Sequence, residues 1–249
     1  MNEETTTPSG DPIHRYSERT KDFEPAFGDS SNMEAISDHI EKHVGEIHSV
    51  FHEIVSDIVH IDVYWVKPSD RFPFHVLVTS GMSDKAMNVP GGLEDQRYAE
   101  LCVLLPASWH LGDENKSTDE VFSDENNYWP IRWMKIIARF PHEYNTWLGW
   151  GHTIPNGEDA EPFSENTKLG CMMLYPSISL PPEFFELATN DGKVIRFYCL
   201  MPLYKEEMEI KLAKGGDELT DKFEKFGISD VIDPDRLNVG KKKGFFGLW

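Results

Sequence analysis

Cysteine is scarce in this chain of 249 residues: there are 3, Cys102, Cys171 and Cys199, each inside an apolar run. An odd count at wide spacing supports neither a disulfide framework nor a zinc site, and buried free thiols fit a reducing compartment. Positive charge is also scarce. Against 43 Asp and Glu stand 24 Lys and Arg, for a formal net charge of −19. Phosphate recognition needs a basic patch. The basic stretches here are as short as Lys241-Lys242-Lys243, so direct nucleic-acid binding is not expected. No run of 18 apolar residues occurs, so no membrane-spanning helix is expected. The polar start Met1–Thr7 does not read as a secretory leader, and the cytoplasm is the expected location. No internal repeat is visible.

The usual catalytic signatures are missing as well. The nearest approach to a nucleophile elbow is Ser80-Gly81-Met82-Ser83-Asp84, which lacks the required glycine pair. Gly149-Trp150-Gly151 opens like a dinucleotide turn, but Ile154 holds the third glycine position. His52-Glu53 and His142-Glu143 each lack the second histidine of a zincin helix. No catalytic residue, metal ligand or cofactor is assigned on these grounds.

What is present is a globular composition, with 39% hydrophobic residues, 7 Trp and 15 Phe. Polar residues 1–30 read as a flexible arm, 31–227 as a single domain and 228–249 as an irregular tail. In the tail, Phe245, Phe246, Leu248 and Trp249 favour docking on the chain's own domain. A first helix is expected over 32–55, capped by Ser31 or Asn32, with Ile36, Ile40, Val44, Ile47 and Phe51 on one face. Strands are expected at 58–66, 74–79, 99–105, 169–175 and 194–201, where β-branched and aromatic residues collect. Several runs are apolar on both faces, which calls for cover on both sides. Residues 110–127 read as an acidic exposed loop. A helix at 129–139 follows, with Pro130 in its first turn and Phe140-Pro141 at its end. Two more helices are expected at 203–214 and 217–226, divided by Gly215-Gly216. The fold class is therefore α/β of the α+β type, a central mixed β-sheet flanked by helices.

Histidines offer the best route to chemistry. His39/His43 and His48/His52 lie four apart on the expected first helix, as a metal pair would, but no third ligand is identifiable, and solvated helix residues are the plainer reading. His60 and Asp62, two apart on a strand, share a face and suit an orienting pair. Arg132, Lys135 and Arg139 form a basic stripe on the second helix. Trp129, Trp133, Trp147 and Trp150 crowd one window, with Trp133 assigned to the core and the last two in a glycine-rich loop.

Several phrases then occur together: His60-Ile61-Asp62-Val63-Tyr64, Leu77-Val78-Thr79-Ser80-Gly81-Met82-Ser83-Asp84 with Met87 and Pro90, Arg97-Tyr98-Ala99-Glu100-Leu101, Leu104-Leu105-Pro106 with Trp109, Trp129-Pro130, Arg132-Trp133-Met134-Lys135, and Pro141-His142-Glu143-Tyr144 leading to Trp147-Leu148-Gly149 and Gly151-His152-Thr153. In this order they resemble the suppressor-of-fused domain, most strongly over 40–205. The resemblance implies a mixed α/β domain, no catalysis, and the binding of another protein. Eukaryotic relatives restrain Gli-type transcription factors, partly by adding a peptide strand between two domains. This chain looks too short for the second of those domains and is more similar to compact bacterial members, for which an immunity role against toxins has been suggested. The expected function is thus a non-enzymatic intracellular binding module, with an immunity-type inhibitor of a basic toxin as its specific form. The alternatives are a metal- or small-molecule-dependent enzyme using a His/Asp cleft, and a structural or oligomeric protein. Candidate partner-binding residues are Met82, Ser83, Arg97, Glu100, His142 and His152 around a cleft. Asp113, Glu114, Asp119 and Glu120 of the acidic loop join them, with a second acidic stretch at Glu158–Glu165.

Overall fold

The computed structural model describes residues 5–16, 19, 22–53, 55–112 and 122–241. Helix α1 (Ser30–His43) begins at Asp29, whose carboxylate accepts from the backbone N–H groups of Ser31 and Asn32. It ends twelve residues sooner than its apolar periodicity predicts. Gly45, at φ +154°, follows the Val44 cap, and Ile47–Phe51 is strand β3. The glycine breaks the helical periodicity, and the β-branched and aromatic run beyond it pairs as a strand. His48 and His52 are consequently not helix neighbours.

Strands β4 (Asp62–Val66), β5 (Phe74–Ser80), β6 (Tyr98–Pro106), β7 (Thr153–Pro155), β8 (Leu169–Tyr175), β9 (Glu186–Ala188) and β10 (Val194–Tyr204) complete an eight-stranded sheet. Its order is β3-β4-β5-β6-β10-β8-β7, with β9 also paired to β10. β4 starts four residues later than expected, because Ile58 adopts φ +66° and the Asp57–Val59 turn intervenes. Strands β1 (Thr5–Thr6) and β2 (Pro12–Ile13) form a separate small hairpin. Every pairing in the main sheet is antiparallel except β6 with β10, which run parallel from Tyr98/Ile195 to Cys102/Cys199.

Helices cover both faces, as the doubly apolar strands require. On one face, Trp129, Met134 and Ile137 of α2 (Glu125–Glu143) pack on Val63, Trp65, Leu77 and Leu101. On the other, Ile36 and Ile40 of α1 meet Val76, Val78, Leu104 and Phe197. Helices α3 (Lys205–Lys214) and α4 (Gly216–Phe226) bury Met208, Leu219 and Phe223 against Cys171, Met173 and Met201. Cys102, Cys171 and Cys199 are all free and buried.

Helix α2 is longer at both ends than the sequence predicts, and Pro130 lies inside it rather than in its first turn. A proline there cannot donate to the carbonyl four residues back. That carbonyl, of Asn126, accepts instead from the Asn166 side-chain amide at 3.3 Å. Asp124, at the N-cap, accepts from Asn126 N. Pro141 falls in the last turn, and Thr146 N closes on its carbonyl at 2.9 Å.

The described parts of the N-terminal arm lie against the domain: Ile58 N donates to Glu24 O at 2.7 Å, and Tyr16 Oη meets Thr146 Oγ1 at 2.6 Å. Residues 228–241 are irregular but docked, with Ile232 N donating to Leu104 O at 2.9 Å. The aromatic end at 245–249 and the acidic residues Asp113, Glu114, Asp119 and Glu120 lie outside the described residues.

Candidate functional site

Four of the six candidate cleft residues meet, but in the interior. The turn after β5 places Gly81 at φ +116°, against the backbone of His60, where a Cβ would come within 1.7 Å of the carbonyl oxygen. Only glycine fits that contact and that backbone angle. The turn then presents its amides to Glu100 of β6. Gly81 N, Ser83 N and Ser83 Oγ donate to Glu100 Oε1 at 2.9, 2.9 and 2.6 Å, and Thr79 Oγ1 donates to Oε2 at 2.7 Å. From the opposite side, His142 of α2 donates from Nε2 to Met82 O at 2.9 Å. Met82, Ser83 and Glu100 are fully buried and His142 nearly so. Burial raises the Glu100 carboxyl above its ordinary value, while the four donors pull it back. This centre ties β5, β6 and α2 together and offers nothing to a partner directly.

Arg97 and His152 do not join it. Arg97 is exposed, and its carbonyl accepts from Met87 N. His152 packs edge-on to the Trp147 ring, with centroids 4.5 Å apart, and burial lowers its pKa to about 4. The expected common cleft is therefore a buried strut plus two separate residues. Trp129 and Trp133 are core, whereas Trp150 remains 40% exposed.

A second polar centre surrounds Asp62, which is almost wholly buried. The His60–Asp62 pair forms, with Nε2 and Oδ1 3.1 Å apart. Asp62 also accepts from His52 Nδ1 at 3.0 Å and from Glu53 N at 3.1 Å. Ser56 Oγ stands 2.5 Å from His60 Nδ1, so Ser56, His60 and Asp62 form a chain. Glu53 in turn pairs with Arg139 of α2, and burial lowers Lys135 on the same helix face. The basic stripe is thus divided: Arg132 is held by Glu125, Arg139 by Glu53. Sequence reasoning missed His52, Glu53 and Ser56 as partners, since it placed 52 and 53 on a helix. The only signal was the β-branched and aromatic run after Gly45. Among the described residues, no group of three or more His, Cys, Asp or Glu is placed to hold a metal ion, and no helix is long and apolar enough to cross a membrane.

A mixed sheet with a single parallel pairing, helices on both faces and a carboxylate-pinned turn at its centre defines the class: an α/β domain with Met82, Ser83, Glu100 and His142 as an internal strut. The model of the suppressor of fused protein family matches residues 57–237, well over half of the chain, and the chain belongs to that family. Three solved structures share the fold. A suppressor-of-fused homolog from Neisseria gonorrhoeae is 17% identical with a TM-score of 0.59, the match covering 84% of this chain and 96% of that one. A chain of the Sufu–Fu complex is 16% identical with a TM-score of 0.58, covering 84% and 92%. Drosophila Suppressor of Fused is 16% identical with a TM-score of 0.57, covering 84% of this chain but 51% of its own, so this chain spans about half of that protein. No curated protein matches the sequence.

Proposed function

We propose that this chain is a non-enzymatic, cytoplasmic protein-binding module for a basic partner, with sequestration of a cationic toxin as its specific form. One observation carries the reading: four of the family-phrase residues, Met82, Ser83, Glu100 and His142, are sealed in the interior. Glu100, Ser83, Met82 and His142 satisfy one another, so a partner meets the surface instead. That surface belongs to a chain of net charge −19, suited to fast encounter with a cation-rich protein. A protein of the same fold occurs in a complex, that of Sufu with Fu, which fits a role in protein recognition.

The test is capture on the immobilised full chain from its host's lysate, at low and moderate salt, followed by association kinetics with the captured protein. A stoichiometric basic protein whose association slows as salt rises is the expected result; an empty capture at low salt overturns the reading. Reversing Asp113, Glu114, Asp119 and Glu120 to Lys should slow association, less so at high salt.

A hydrolytic reading has one observation in its favour, the Ser56–His60–Asp62 chain. Turnover of an activated ester that disappears in Ser56→Ala would support it.

A further inference from the structure

β6 and β10 separate at one end of their shared run. They pair through Cys102 and Cys199; β10 then continues beside β8 to Tyr204, while β6 continues beside β5 to Pro106. The segment after α4 enters this fork, where Val231 bridges Leu104. Past the carboxyl end of β6 an open groove of about 480 Å³ remains. In sheets with parallel strands, binding crevices open at such carboxyl ends, where neighbouring strands part.

Four segments line the groove: the turn after β6 with Trp109, the first turn of α2 with Asn126 and Asn127, the turn bearing Asn166, and the fork segment with Asp233. Pro130 helps to build it, since the carbonyl it frees is bound by Asn166. The Trp109 ring is held in place by its Nε1–H, which donates to Asn127 O at 3.1 Å. Asp233 is exposed and, among the described residues, makes no ion pair, and one of its oxygens caps Asp235 N. Among the described residues, no Lys or Arg lines the groove. Arg132, further along α2, is already paired with Glu125.

We propose that this groove receives an arginine-bearing segment of a protein partner. An indole stacks on a guanidinium, a carboxylate accepts its paired N–H donors, and amide carbonyl oxygens take the remainder. The volume suits a short peptide stretch rather than one side chain alone. The proposal rests on the basic-partner reading above and gives that reading a place on the molecule.

The experiment is a titration of the isotopically labelled full chain with the peptide acetyl-Gly-Arg-Gly-amide, followed by NMR, with the citrulline peptide as control. Saturable shifts should appear at the Trp109 indole N–H and the Asn126, Asn127 and Asn166 amides, and be lost with citrulline. Asp233→Asn, at an exposed position that should leave folding intact, should weaken the arginine peptide about threefold, and Asp233→Arg should abolish the shifts. Shifts spread evenly over acidic side chains, equal response to citrulline, or no effect of Asp233→Asn would overturn the groove. These outcomes are independent of the lysate capture. A basic partner that binds Asp233→Arg as well as wild type removes the groove and keeps the function; groove binding with an empty capture does the reverse.

Discussion

Two of the described glutamates are wholly buried, and they are stabilised in opposite ways. Glu100 accepts from four neutral donors of its own sheet and turn. Glu207 faces a cation: Arg236 Nη1 and Nη2 donate to its two oxygens at 2.7 and 2.6 Å. The backbone N–H groups of Val239 and Tyr204 complete that carboxylate at 3.0 Å each. Arg236 also donates to Pro202 O and lies over the Tyr204 ring, 5.0 Å from its centroid. The difference follows from what each glutamate holds. Glu100 fixes a short turn whose amides are already adjacent, so neutral hydrogen bonds suffice. Glu207 fastens a segment without secondary structure to the sheet, and a bidentate ion pair supplies strength and direction that loose backbone cannot.

Breaking the ion pair should have the larger effect. Arg236→Met leaves a buried carboxylate without its cation and should cost about 3–5 kcal/mol in urea denaturation. Adding Glu207→Leu should recover part of it by removing the unpaired charge, the shortfall coming from the Val239 and Tyr204 N–H groups left without an acceptor. A double variant as unstable as the single would show that the backbone donors, and not the charge, fasten the segment.

Glu100→Ala removes one acceptor group from four donors and should cost about 2–3 kcal/mol. The isosteric Glu100→Gln separates charge from geometry. Burial raises the carboxyl in the folded state, so the fold binds a proton more tightly than the unfolded chain does. The associated stability is present below the unfolded value of 4.5 and is lost as pH rises through the folded value. Glu100→Gln should lack this decline, visible as a flatter denaturation midpoint from pH 4.5 upward. Parallel pH profiles for wild type and variant would mean that the four donors cancel the burial.

How much of this was legible in the sequence depended on the range of the interaction. The Phe74–Thr79 and Leu169–Tyr175 strands were readable because their apolar runs are bounded by proline, glycine or polar residues. The His60–Asp62 pair was readable because alternation along a strand places both side chains on one face. The groupings of Glu100 with Ser83 and of Glu207 with Arg236 depend on sheet register and on the path of an irregular segment, and no local period encodes either. Family phrases did bring Met82, Ser83, Glu100 and His142 together, but residue type alone could not show that the group is sealed. The Pro130 position failed for a different reason: the compensating partner of the freed carbonyl, Asn166, is 40 residues away.

His152 gives an effect of the opposite sign to that of Glu100. Burial lowers the imidazole to about 4 from 6.5, so the unfolded chain binds the proton more readily. Stability should fall as pH drops from 6.5 towards 4, by at most about 3 kcal/mol, and by less to the extent that the ring keeps solvent contact. His152→Gln should remove the fall. An unchanged acid limb would place the ring in water.

The smallest effect isolates what burial adds to an ion pair. Lys205 Nζ lies 2.8 Å from Asp159 Oδ1, nearly the separation of Arg236 from Glu207, but both partners are exposed. In water the Coulomb gain is screened and the entropy of holding two flexible side chains offsets it. Lys205→Ala should leave the denaturation midpoint within measurement error. A midpoint shift approaching that of Arg236→Met would mean that contact distance, and not burial, sets the strength of the Glu207 fastening, and the contrast between the two glutamates would need another basis.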